Sequence, residues 1–190
     1  MAARFAKLIL PLALLGIATS AAAAPPPDAA TQRFEQLLRS IDVTPSRADL
    51  DGAWPDARAR LLAAAQEATR DDWTRIRAAS ILALYPDAGV RGALLALAAD
   101  PRPAVRSTAI HTAARAFGVP GDAALVAALE ARLSDPDPDV REHALRGLRW
   151  VDHPAAERLL ARLAAGDDAR ARLARRTQQR RAARLVKDGR

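Results

Sequence analysis

The stretch DPRPAVRSTA (Asp100–Ala109) returns 35 residues later as DPDPDVREHA (Asp135–Ala144). Both copies open with Asp-Pro, carry a second proline two residues on, and continue into Val-Arg and alanine. Pro103 and Pro138 suit the first turn of a helix, where a missing N–H leaves nothing unsatisfied. Asp137 can cap the free amides, and Asp139 sits favourably against the helix dipole. Val140 then anchors a buried face. A motif that starts a helix and recurs is a building block, not a reactive site.

Working outward, punctuation and apolar periodicity predict helices near 56–69, 72–85, 88–99, 103–117, 121–134, 138–151, 154–165 and 168–186. The separators YPDAG, DPRP, GVPGD, DPDP, VDHP and AGDD are short enough to make successive helices antiparallel neighbours. Aligned on the Val-Arg step, Ile76, Val105 and Val140 share a column, followed by Arg77, Arg106 and Arg141. Further columns hold Ser80, Ala109 and Ala144; Ile81, Ile110 and Leu145; and Leu84, Ala113 and Leu148. These offsets trace one helix face. Their periods of 29 and 35 residues match a helix-pair unit. Each arginine is expected to reach an aspartate of its own or the adjacent turn. Upstream, Phe34, Leu37, Leu38 and Ile41 mark one face of a helix from about Thr31 to Ile41. DVTPSRADLDGAWP reads as a break, marked by Pro45, Gly52 and Pro55.

The units resemble HEAT-like repeats of the phycobilin-lyase type. The resemblance covers about residues 56–165 and is clearest in DPRPAVRSTAIHTAARAFG and DPDPDVREHALRGLRWVD, while DDWTRIRAASILALYPD lacks the proline. It implies an α-α superhelix whose usual business is holding other proteins. The expected fold is therefore all-α, a right-handed HEAT-like helix-pair solenoid of about three and a half units. An N-terminal helix and linker (31–55) precede the repeats (56–165), and a basic C-terminal helix (166–190) follows.

Composition agrees with an all-helical chain. Alanine, leucine and arginine dominate, and all three are strong helix formers. The net charge of +7 is unevenly spread. Residues 25–165 hold 18 basic and 19 acidic side chains, whereas residues 166–190 hold nine and three. Residues 1–23 read as a cleaved signal peptide: a basic start, the apolar run LILPLALLGIA, then small residues ending at Ala21 and Ala23. Eleven apolar residues span about 17 Å as a helix, short of a hydrocarbon core of ~30 Å. A proline-rich leader (24–30) follows. The expectation is export to the periplasm. The chain has no cysteine, which excludes disulfides, a lipid-modified cysteine and cysteine nucleophiles.

No catalytic residue, metal ligand or cofactor site is expected. The aspartates of DPDPD lack the glycine and distant glutamate of a calcium loop. His111, His143 and His153 occupy different repeat columns, and no serine sits in a G-x-S-x-G elbow. No glycine-rich phosphate loop is present. Trp54, Trp73 and Trp150 read as plugs between layers, with interface anchoring as the alternative. The preferred function is a non-catalytic scaffold that binds a protein, with Arg102, His111, Arg115, Arg146 and Arg149 as candidate contacts. In the tail, Arg175, Arg176 and Gln179 fall where apolar residues should recur. Arg172, Arg175, Arg176, Arg180, Arg181 and Arg184 therefore form either a polar terminal cap or a surface for an anion such as acidic lipid, lipopolysaccharide or an acidic protein. Nucleic acid is set aside, because export leaves little of it to meet.

Overall fold

The computed structural model describes residues 28–189; the expected signal peptide and most of the leader lie outside them. The described residues form α-helices and two short 3-10 turns, without a strand. The first helices are α1 (Ala29–Arg39), α2 (Arg47–Ala53), α3 (Ala57–Gln66), α4 (Asp72–Ile81) and α5 (Ala88–Leu97). They are followed by α6 (Pro103–Phe117), α7 (Ala123–Arg132), α8 (Pro138–Gly147), α9 (Pro154–Ala164) and α10 (Ala169–Lys187). The 3-10 turns Leu82–Leu84 and Leu148–Trp150 prolong α4 and α8.

From α3 onward the helices pack as pairs: α3 on α4, α5 on α6, α7 on α8 and α9 on α10. The second helices form a layer in which α4 meets α6, α6 meets α8, and α8 meets α10. This is an all-α HEAT-like helix-pair solenoid, as expected. It holds four pairs rather than three and a half, because the basic helix α10 is the second member of the last pair. One apolar cluster runs from Phe34, Leu38 and Leu50 through to Ala174.

The helix caps correct the repeat register. Asp71, Arg102, Asp137 and Asp168 precede α4, α6, α8 and α10. Counted from these caps, the first buried column is Thr74, Val105, Val140 and Ala171, followed by Arg75, Arg106, Arg141 and Arg172. The next columns are Ala78, Ala109 and Ala144; Ala79, Ile110 and Leu145; and Leu82, Ala113 and Leu148, all buried. The first unit thus slides by two residues from its sequence alignment, and Ser80 is exposed. The reason is local. Asp71 fixes the helix start by accepting from the Thr74 amide at 2.9 Å, which outweighs the Val-Arg likeness of Ile76-Arg77.

The arginine column staples the units together. Arg75 is 2% exposed, donating through Nε to the Ala65 carbonyl and through Nη2 to Asp100. Arg106 donates Nε and Nη2 to Asp135 at 3.0 and 2.8 Å, and Nη1 to the carbonyls of Asp100 and Pro101. The same carboxylates accept from the amides of Arg102 and Asp137. Each Asp of an Asp-Pro step therefore shapes its own turn and holds the arginine of the unit before. At the last junction this ladder stops. Arg141 donates only to the Asp135 and Pro136 carbonyls, because Gly166 stands where Asp100 and Asp135 stand in earlier turns. Along the first-helix layer, Arg58–Asp87 and Arg91–Asp122 form a parallel but exposed ladder, the kind of pair that contributes little.

The N-terminal segment also departs from expectation. The stretch read as a break contains α2, started by a capping box between Ser46 and Asp49. Ile41 lies beyond α1 and is 76% exposed, not on a buried face. Trp54 does plug a gap: its ring meets Phe34 edge-on at 5.4 Å and its Nε1 donates to the Ala30 carbonyl. The Tyr85 hydroxyl donates to Asp51, and Arg70 pairs with Glu35, so residues 31–55 are built into the solenoid. Trp73, by contrast, is 42% exposed. Between α6 and α7, Gly118 allows two turns to touch. A Cβ there would lie 2.3 Å from the Trp150 carbonyl oxygen, and the Gly118 carbonyl accepts from the Asp152 amide.

Removing Asp135 leaves the Arg106 guanidinium buried without its partner, so Asp135→Ala is expected to destabilise by about 3–5 kcal/mol in urea unfolding. The Arg106 hydrogen bonds hold the Asp135 carboxyl below its ordinary value. Its contribution is therefore complete above the unfolded value of about 3.9 and is lost as pH falls through the lower folded one. The gap between wild type and Asp135→Ala should narrow only in strongly acid solution. At Gly166 the space is open, with the nearest atom (Ala171 Cβ) 3.6 Å from a built Cβ. Gly166→Asp should complete the ladder with Arg141 and raise the thermal midpoint, by about 1 kcal/mol of stability.

Candidate functional site

The layer of second helices carries a polar depression of about 220 Å³. Its walls are Ser80 and Ala83 from the end of α4, Thr108, His111, Thr112 and Arg115 from α6, and His143 from α8. Their polar ends are unused by the buried columns, which consume the opposite side of each helix. The His111 and His143 rings meet edge to face, 5.8 Å between centroids. The His143 Nδ1 lies 2.8 Å from the Asp139 carbonyl oxygen.

Guanidinium groups crowd the rim. Arg149 lies over the Trp150 ring, 4.6 Å from its centroid, with its Nε buried and unpartnered. Arg146 pairs with Glu142 one turn away. Arg115 and Arg180 make no hydrogen bond or ion pair with the described residues. Burial, and then the charges of His143, Arg149, Arg115 and Arg146, push the His111 imidazole down from 6.5 to about 4. Burial together with Arg180, Arg146 and Arg115 even lowers the Arg149 guanidinium. The cluster is rich in donors, and its one carboxylate, Glu142, is already engaged. Its chemistry is that of an anion receptor.

Of the sequence candidates, His111, Arg115, Arg146 and Arg149 come together here. Arg102 does not join them, since its guanidinium reaches the carbonyls of Ala68 and Arg70 and the Asp72 carboxylate. Sequence reasoning missed His143, Ser80 and Thr108 as members of this face, and it assigned Arg180 to the tail surface rather than to this cluster. A signal for the histidines existed: counted from their caps, His111 and His143 lie three positions apart on the same helix face. His153 is used differently, accepting from the Ala155 amide as the cap of α9. Among the described residues no group of three or more His, Asp or Glu is arranged to hold a metal ion.

The tail arginines divide. Arg172, Arg175, Arg181 and Arg184 donate to the carbonyls of Asp167, of Ala164 and Gly166, of Val151, and of Arg149. Arg176 and Arg180 remain exposed. The helix buries Ala171, Ala174 and Thr177 instead of positions 175, 176 and 179, so its contact face is rotated relative to its predecessors. Among the described residues no helix is long and apolar enough to cross a membrane.

Stacked helix pairs with a polar face along the second-helix layer define an α-solenoid. Residues 111–177 match the family model for HEAT repeats. The match begins at His111 and runs into α10, beyond the end of the repeats expected at residue 165. No curated protein matches the chain.

Neutralising one rim charge should relieve the part of the shift that burial does not cause. Arg149→Gln is expected to raise the His111 pKa from about 4 toward 6.5, read by nitrogen-15 NMR titration of the ring.

Proposed function

We propose that this protein is a non-catalytic scaffold that binds another protein through the polar face of α4, α6, α8 and α10. The observation that carries this reading is the concentration of unspent cationic groups on that one face. The turn arginines Arg75, Arg102, Arg106 and Arg141 are consumed holding turns and units together. Among the described residues Arg115 and Arg180 have no hydrogen-bond or ion-pair partner, and the Arg149 Nε is unsatisfied. Like charges gathered in this way repel one another and destabilise the free fold, so an arriving partner that offsets them gains affinity.

Helix dipoles supply a simpler role for Arg115 and Arg146, each in a last helical turn. That role accounts for single charges but not for the two histidines set between them. The likeness to lyase-type repeats carries over as repeat architecture alone; with no cysteine and no catalytic grouping, a lyase activity is not part of this reading. The pattern of residues 1–23 supports action outside the cytoplasm. Binding of an anionic surface through α10 is the weaker reading, since four of its six candidate arginines are committed to carbonyl oxygens.

Photo-crosslinking residues placed singly at Thr108, Arg115 and Arg146, and on the opposite layer at Arg91 and Glu130, test the surface in intact cells. Discrete adducts confined to the first group are expected. Adducts equal on both layers, or none from the first group, would overturn the assignment.

A further inference from the structure

The partner's chemistry follows from the face itself, on the reading just given. Each second helix presents cationic or hydroxyl groups on this face. The row runs from Ser80 on α4, through Thr108, His111 and Arg115 on α6 and His143, Arg146 and Arg149 on α8 and its 3-10 turn, to Arg180 on α10. Packed helices lie 8–10 Å apart. In an extended chain, alternate side chains on one side are about 6.6 Å apart, and a three-residue step covers about 10 Å. A carboxylate every second or third residue therefore keeps pace with successive helices.

The donors are all side chains. The row lies along helix bodies and C-terminal turns, where backbone amides are already bonded within the helix, and the starts of α4, α8 and α10 are closed by Asp71, Asp137 and Asp168. A compact phosphate favours a nest of free backbone amides, which this surface lacks. A line of separated guanidinium and imidazole groups instead matches separated carboxylates, each within reach of a charge-assisted hydrogen bond.

We propose that this row is the docking site of an extended acidic peptide segment of the partner, with one carboxylate seated over the paired rings of His111 and His143, and that His111 takes up a proton as the segment binds. The charges that act on His111 are Arg115 from α6 and Arg146 and Arg149 from α8 and its turn; α8 also carries Glu142 and α4 carries Arg77, and Arg180 of α10 acts on Arg149. Arg77 is held by the Val43 carbonyl, and Glu142 is engaged by Arg146. Burial, and then the net positive surround, keep His111 unprotonated in the free protein. A carboxylate in the depression offsets that field and returns the imidazole toward its ordinary value, so bound peptide and bound proton favour each other. Affinity then rises as pH falls, by at most tenfold per pH unit for each proton taken up.

The test uses deca-glutamate, with deca-glutamine, a phosphoserine peptide and inorganic phosphate as comparison ligands. Isothermal titration is run from pH 7.5 to 5.5 in buffers of different ionisation enthalpy. Deca-glutamate is expected to bind at least tenfold more tightly than deca-glutamine, with proton uptake and tightening toward pH 5.5. The double variant R115Q/R149Q should lose tenfold or more in affinity while keeping its helical circular dichroism and melting cooperatively. H143Q with H111Q should retain binding near pH 7.5 and lose both the pH dependence and the proton uptake. The proposal is overturned by a pH-independent affinity, by a preference for phosphate or phosphoserine, or by binding that R115Q/R149Q leaves intact. Crosslinks from Thr108 and Arg115 to a partner without an acidic segment would end this inference while leaving the scaffold assignment standing.

Discussion

The solenoid depends on an arginine buried at each of two junctions and on the aspartate that meets it. Arg75 with Asp100, and Arg106 with Asp135, remove charge from water in a part of the fold that is otherwise alanine and leucine. Such pairs are costly to desolvate, and the attraction offsets that cost only when every donor and acceptor is used. Here the guanidinium groups also serve main-chain carbonyls, and the carboxylates also serve amides in their own turns. The bond therefore fixes geometry more than it supplies stability. It sets how each turn sits on the next, and through that the stagger of α4, α6 and α8.

That stagger makes the polar face what it is. A helix layer built from one repeated buried column leaves the remaining positions of each helix aligned across units. Small changes in repeat length, 31 residues between the first two caps and 35 between the next, shift which residues become neighbours. His111 and His143 meet because α6 and α8 are offset by about one turn relative to their sequence numbering. Arg180 joins them because α10 turns a different side, Ala174 and Thr177, to the core. The terminal helix is thus at once the last layer of the stack and an edge of the candidate surface. Its arginines divide between these two roles, with Arg175 and Arg184 on carbonyls and Arg180 left facing the cluster.

How much of this was readable in the residues differs by level. Asp-Pro followed by Val-Arg announced helix starts in two units, because a proline tolerated only in the first turn and an aspartate in front of it have few other uses. In the first unit the proline is missing, and the alignment settled on Ile76-Arg77, two residues late. The short α2 is hard to read from the residues because Pro45 and Pro55 bracket it and Gly52 falls inside its seven residues. The candidate contacts were read as exposed positions on second helices. That criterion includes His111, Arg115, Arg146 and Arg149, which lie together, but it does not separate them from Arg102, whose neighbours are set by a different turn.

The residue pattern by itself determined an all-helical chain, its division into helix pairs and the identity of the buried columns in the two clear units, because helix capping and a period of 3.6 are local properties. Only the tertiary structure decided which arginines would be consumed and which left free, that two histidines 32 positions apart would touch, and that the basic tail would close the fourth pair. Those outcomes depend on the stagger between neighbouring helices, and stagger is set by long-range contacts such as Arg106 to Asp135 that no single helix encodes.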